Sequence, residues 1–418
     1  YDVAKMIYNQ RDITCGRVPV SFLFLLLLLA NFMLEFQLRI THEPSNRRAS
    51  CTLFASHKAG RILMRNRVIL SPMTRMQAIA RVPNSLMVEY YHRFARHEAG
   101  LLISGSTAVS ERANGQQDTP GIYTAEHLAG WSAITHAVHA ELAQIVCQLS
   151  YAGRAGHSSF LPDHEQIVAP SPLRITGDCV NCDHVWGADL KRHPHETPRQ
   201  LTVSEIQRIV DEFGKAAVMA KQAGFDGIEI HAGSGYLVDE FLQSCSNKRV
   251  DEYGGSFSRR FQFLHDVLIR VLQDWGPGRV GVKINPNGNY NAMGSTDNYE
   301  MFTYAVARLN DYNLSYLHIT DGRPGIADFQ NLSRHVKLHD VRSLFHGTII
   351  GNGGYDHGSA LSRICDDEAD AIAFGTPFLA NPDLAQRFAH GWPLASPIPR
   401  SKWYAAEKQY YLTPAYQS

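Results

Sequence analysis

The sequence has no surplus of either charge: 40 Lys and Arg stand against 40 Asp and Glu. That balance argues against a nucleic-acid partner, which would want a basic face, and no basic tract is interleaved with aromatics. Cysteine is scarce: Cys15, Cys51, Cys147, Cys179, Cys182, Cys245 and Cys365 are scattered over 418 residues. An odd, sparse set reads as reduced thiols rather than a disulfide framework. No glycine-rich turn follows the first strand pattern, where "SPMTRMQ" stands instead. A doubly wound dinucleotide fold would carry such a turn there. No second CxxC completes the loop "CVNCDH" and "HPH", whose Cys179, Cys182, His184, His193 and His195 otherwise have zinc-ligand spacing. Two ordinary loop thiols and no metal are the expectation.

Long apolar runs are missing too, with one exception. "VPVSFLFLLLLLANFML" (18–34) lies between Arg11 and Arg17 on one side and Arg39, Arg47 and Arg48 on the other. A spanning helix takes ~20 apolar residues and at least ~17. Two readings stay open. The run is an anchor or targeting segment, or it is not native to the protein, since the chain starts at Tyr1 and its first methionine is Met6. Residues 1–50 are set apart as an N-terminal extension, and 51–418 is the expected folded domain. Membrane association would come through 18–34 alone, with the folded domain in the cytoplasm.

What is present is a rhythm. Short apolar runs alternate with longer amphipathic ones from residue 52. The strand candidates are 67–73, 101–107, 144–149, 227–232, 279–285, 315–320, 347–352 and 370–375. They are continuously apolar, as parallel strands buried on both faces are. Helical spacing is clearest over 201–225, where Thr202 and Glu205 form a capping box and Gly224 is placed to stop the helix. Other helical runs are 86–99, 125–142, 258–274, 298–310 and 378–389. Eight strand–helix units predict a (β/α)8 TIM barrel. The segment 152–200 is too long for an ordinary connection and reads as a functional loop over the third strand.

Such barrels do their chemistry at the C-terminal strand ends. Those ends carry Thr74, Ser104 and Ser106, Gln148, His231, Lys283 and Asn285, and His318 and Thr320. Strands seven and eight end in the glycine turns "GNGGY" (351–355) and "FGT" (374–376), where backbone N–H groups can approach a phosphate. Gln148 and Thr74 suit a heterocycle edge, and Lys283 suits negative charge developing on it. In "IEIHAGSGYLVDEFL" (228–242) an apolar run delivers His231, and a short turn delivers Tyr236. A histidine can donate to a substrate carbonyl, and a neutral tyrosine can release a proton in a transition state.

Several ordered motifs resemble one family. "LMRNRVILSPMTRMQA", "TPGIYTAEHLAGW", "IEIHAGSGYLVDEFLQSCSNKRVDEYGGSFSRR", "AFGTPFLANPDLAQRF" and "GWPLASPIPR" are similar to the old yellow enzymes, FMN-dependent ene-reductases. The resemblance spans about 52–416 and implies the same barrel. It implies that NADPH or NADH reduces FMN, and that the flavin then passes hydride to an activated C=C bond beside a carbonyl or nitro group. By motif, Tyr236 is the proton donor and His231 binds the substrate oxygen, with Ser234 and Tyr410 near the substrate. Pro72, Met73, Thr74, Ser106, Gln148 and Lys283 would face the flavin ring. Gly353, Gly354, Gly375 and Thr376 would hold the phosphate.

Four positions depart from the family pattern. Ser234 replaces Asn or His, Lys283 and Thr376 each replace Arg, and Ser150 replaces an aromatic residue, which would widen the pocket. The rival readings are a phosphate-binding barrel aldolase or isomerase using Lys283, and a flavin-binding relic with little turnover. Oligomeric state is not legible in the sequence.

Overall fold

The computed structural model describes residues 51–177, 179, 181–322, 332–404 and 411–415. The apolar segment 18–34 and Tyr410 lie outside them. Among the described residues no helix is long and apolar enough to cross a membrane. Thr52–Ser418 forms one compact unit.

The continuous apolar runs become the parallel strands β1 (Val68–Leu70), β2 (Leu102–Ile103), β3 (Ile145–Ser150) and β4 (Gly227–Ala232), followed by β5 (Val280–Ile284), β6 (Tyr316–Thr320), β7 (Thr348–Asn352) and β8 (Ala371–Phe374). Each pairs with its sequence neighbour, β8 pairs with β1, and β3 with β4, so the sheet closes as a (β/α)8 barrel. Burial on both faces explains the runs: β3, β4 and β5 have every residue buried.

Helices α1 (Ser85–Arg96), α2 (Ala125–Ala140), α3 (Val203–Gln222), α4 (Phe257–Trp275), α5 (Asn298–Leu309), α6 (Leu338–Leu344), α7 (His357–Cys365) and α8 (Leu384–His390) follow the strands. The Thr202–Glu205 capping box starts α3, each side chain satisfying the other's backbone N–H. The run expected over 378–389 divides into Thr376–Ala380 and α8. Asn381 precedes Pro382, and the proline ring pushes the preceding residue out of helical geometry; Asn381 has φ −132° and ψ 88°.

A hairpin, His57–Ala59 against Ile62–Met64, lies under the barrel. Ala59, Ile62 and Met64 pack with Ile69, Ile103, Val146, Tyr316, Ile350 and Ala371 in one fully buried cluster. Ser315 Oγ donates to the Ala59 carbonyl at 2.8 Å, tying hairpin to barrel. Apolar side chains thus fill the N-terminal end, leaving the polar residues to the other.

Candidate active site

At the C-terminal end of the strands lies a cavity of about 1270 Å³. Ligand pockets commonly enclose ~300–1,000 Å³, so this one has room for a cofactor and a small substrate together. Pro72, Met73, Thr74, Ser106, Gln148, His231, Ser234, Tyr236, Lys283, Gly353, Gly354, Gly375 and Thr376 all line it. Tyr410 lies outside the described residues. Its neighbour Tyr411 is an anchor in the core, its ring 4.6 Å from that of Tyr90.

The turn after β4 explains how His231 and Tyr236 meet. Ser234 and Gly235 both take left-handed backbone, with φ 60° and 73°. Two such residues reverse the chain within one turn and bring Tyr236 back over the strand end. Asp239 fixes the turn: its Oδ2 accepts from the Gly235 N–H at 2.9 Å and its Oδ1 from Gln243. The His231 and Tyr236 rings end 5.0 Å apart.

Both groups stay neutral. Burial, reinforced by Lys283, lowers the His231 pKa to about 3. Burial, with Tyr290 and Tyr404 nearby, pushes the Tyr236 phenol well above its ordinary value. Gln116 Nε2 donates to the Tyr236 hydroxyl at 3.3 Å, leaving the phenol proton free to point elsewhere. Lys283 is lowered to about 8 by burial, against the field of Glu229.

At the glycine end, a Cβ on Gly353 would come within 2.6 Å of Asp321 Oδ1 and 2.7 Å of the Gly322 carbonyl. Only a bare backbone fits there. The Tyr355 hydroxyl donates to Asp321, and Arg363, paired with Glu368, lines the same end of the chamber.

Sequence reasoning missed Gln116, Tyr290, Arg400, Trp403 and Tyr404, which also line the cavity. They sit on irregular segments with no periodicity to read. The loop after strand five, holding Tyr290, was the findable one, because barrel sites are built from such loops. Ser150 is not among the residues that line the cavity. It is buried, and its hydroxyl pairs with Ser106 at 2.5 Å.

The reading of reduced thiols is corrected. Cys179 and Cys182 form a disulfide, and Cys51 and Cys365 are disulfide-bonded as well. The CxxC turn sets the first pair's Cα atoms 5.3 Å apart, within bonding reach. Cys147 and Cys245 are free. Neighbouring histidines have other partners: His184 pairs with Asp183, His193 with Asp189, and His195 with the Asn181 carbonyl. No group of three metal-ligating side chains converges among the described residues.

A closed barrel with a roomy mouth, a glycine cradle at the ends of β7 and β8, a buried lysine on β5 and two neutral proton-bearing rings at the end of the adjacent β4 defines a cofactor-dependent barrel enzyme. The NADH:flavin oxidoreductase / NADH oxidase family model matches residues 52–395. The chain is 36% identical to 12-oxophytodienoate reductase 2 of Arabidopsis thaliana over 359 residues, covering 86% of this chain and 93% of that protein. It is 38% identical to the putative 12-oxophytodienoate reductase 5 of Oryza sativa subsp. japonica over 336 residues, covering 80% and 86%. Among solved structures it is similar to morphinone reductase, at TM-score 0.81 and 38% identity over 87% of this chain and 96% of that one. The old yellow enzyme homologue from Zymomonas mobilis matches at TM-score 0.81 and 34% identity, over 87% and 100%.

The chain belongs to the NADH:flavin oxidoreductase / NADH oxidase family, the old yellow enzymes. It is an FMN-dependent oxidoreductase that takes hydride from NAD(P)H and reduces activated alkenes. The aldolase and isomerase reading is thereby set aside.

Proposed function

We propose that Tyr236 protonates the substrate carbon while His231 holds the carbonyl or nitro oxygen. The carrying observation is that these two neutral groups converge on the same chamber as Lys283 and the glycine cradle. Bound FMN supplies hydride transfer. The residues fit it: the Gly353 backbone and the Arg363 guanidinium line the end where a phosphate would approach, and Pro72, Met73 and Thr74 line the chamber beside Gln148 and Lys283. Gly354, Gly375 and Thr376 complete the phosphate end, and Ser106 stands on the ring side.

A neutral imidazole donates one hydrogen bond to the substrate oxygen and draws electron density from the C=C bond. The β-carbon becomes the electrophile, and once hydride has added there the α-carbon carries the basicity of the resulting enolate. Tyr236 gives its phenol proton to that α-carbon, and Gln116 stabilises the oxygen left behind. Ser234 lines the same chamber and is assigned to the substrate in this reading. The 12-oxophytodienoate and morphinone reductases carry unsaturated ketones in their names, and a polycyclic or cyclopentenone-type enone is the substrate class we infer here.

The test separates the half-reactions under anaerobic stopped flow. Tyr236→Phe should leave NADPH reduction of the flavin within ~2-fold and slow reoxidation by 2-cyclohexenone ~10²–10⁴-fold, the usual worth of a positioned acid. Equal loss in both halves would refute the role. Wild-type protein that binds FMN but shows no NADPH-driven enone reduction would favour the relic reading.

A further inference from the structure

Below the mouth of the barrel lies a charge that touches neither substrate nor solvent. Glu229 of β4 is completely buried. Strand register sets it beside Gln148 of β3, sets His231 beside Lys283 of β5, and sets Lys283 beside His318 of β6. Two-residue alternation turns Gln148, Glu229, His231, Lys283 and His318 into the barrel together. Glu229 Oε1 accepts from Gln148 Nε2 at 2.7 Å, and Oε2 accepts from His318 Nδ1 at 2.9 Å.

A buried carboxylate persists only where both oxygens are satisfied and a positive charge is near. Burial pushes the Glu229 carboxyl up, but His318, Lys283 and Gln148 outweigh it and hold it below its ordinary value. Burial and Lys283 hold His318 below its own. The geometry fits a carboxylate that accepts from the Gln148 amide and from the His318 Nδ1–H. The His318 Nε2 has no partner, which a bare lone pair tolerates better than a charged N–H would.

Two consequences reach the chamber. A carboxylate only accepts hydrogen bonds, so it must take the NH₂ side of Gln148. The amide oxygen is left to accept from an N–H of the bound heterocycle. The second concerns Lys283, which stands where the family usually has arginine. Arginine keeps its charge unaided, whereas a lysine buried here loses it readily. The charged or titratable groups facing Lys283 are Glu229 and His231 on β4 and His318 on β6, and Glu229 alone among them favours its proton.

We propose that the Glu229–His318 pair is a positioning device for the flavin's pyrimidine edge, fixing Gln148 as an acceptor and giving Lys283 the counter-charge that lets it replace arginine. This rests on the assignment of Gln148 and Lys283 to the flavin.

The experiment is the midpoint potential of bound FMN against pH, in the holoenzyme, for wild type, Lys283→Arg, Glu229→Gln and the double variant. The wild-type potential should show an extra fall as pH rises through about 8, absent in Lys283→Arg. Glu229→Gln should move that break down by ~1 pH unit or more, and the double variant should show none. A wild-type profile parallel to that of Lys283→Arg overturns the proposal, and so does a break that stays in place in Glu229→Gln. Should Glu229→Gln not fold, Glu229→Met, which also removes the charge at similar volume, replaces it: the break must shift the same way, and an unmoved break overturns the proposal. Protein that binds no FMN overturns the flavin assignment itself, whereas bound FMN with an unmoved break sinks this inference alone.

Discussion

The His231 and Tyr236 rings lie 5.0 Å apart at 53° to one another, with Gln116 bonded to the phenol from the far side. The geometry separates two tasks on one substrate. One ring meets the oxygen, the other meets a carbon, and neither has to ionise first.

Gln116 should therefore matter to only one half of the cycle. Gln116→Leu removes the donor that orients the Tyr236 oxygen. Enone-driven flavin reoxidation should slow ~10-fold, in line with one lost hydrogen bond of ~1.5 kcal/mol. Flavin reduction by NADPH should be unchanged. Stopped-flow traces of both halves decide it, and a slower NADPH step would show that Gln116 serves the nicotinamide instead.

Ser234 holds φ 60° with a side chain poorly suited to it. Asparagine visits this left-handed region more readily. Its backbone carbonyl already accepts from Asn291 Nδ2 at 2.9 Å, so the turn is pinned from outside. Ser234→Asn should raise the melting temperature slightly and tighten binding of p-hydroxybenzaldehyde, through a longer donor reaching the phenolate. Titration of the charge-transfer absorbance reads the second effect; an unchanged Kd would place Ser234 out of ligand reach.

The phosphate end makes a separable prediction. Thr376→Arg restores the cation that the family usually has at this position. FMN should bind ~10–100-fold tighter, as a charge-assisted hydrogen bond of ~1.5–3 kcal/mol implies. Riboflavin, which lacks the phosphate, should not gain. Equal gains for both, measured by fluorescence quenching, would mean that position 376 faces the ring and not the phosphate.

Stability should fall on the alkaline side. Glu240 is fully buried, and burial raises its carboxyl to about 8 despite Arg154. It is protonated in the fold and ionises above 4.5 once unfolded. Its contribution is thus intact below pH 4.5 and is lost as pH climbs toward 8, by about 3 kcal/mol at pH 7. Glu240→Gln cannot ionise and should flatten much of the decline in urea midpoint between pH 5 and 8. Asp239, raised to about 7 by burial, leaves a residual slope. A slope identical to wild type would show that Glu240 is already ionised in the fold.

The barrel was legible because parallel strands buried on both faces leave an unmistakable apolar run. β3 and β4 are such runs, and Gln148 and His231 stand out in them because a polar residue there needs a reason. The start of α3 was legible from Thr202 and Glu205 alone, since capping is local chemistry. Where tertiary contact decides, the sequence was silent. The short helices α6 and α7 have too few turns for a period. Gln116 reaches Tyr236 across 120 residues of chain. Ser150 was read as opening the pocket, yet its hydroxyl closes on Ser106. The cysteines at 179 and 182 were read as separate thiols, because spacing alone does not report whether two sulfurs meet.

The hairpin His57–Met64 has a kinetic meaning. By stoppering one end of the barrel it leaves the other end as the chamber's doorway. Oxidised nicotinamide must back out before the alkene comes in, and the saturated product must back out before the next nicotinamide arrives. Traffic is one-way by turns, so crowding the doorway with alkene delays the reductant. Turnover should climb with alkene concentration, pass a maximum, and decline, and raising NADPH should push that maximum to higher alkene.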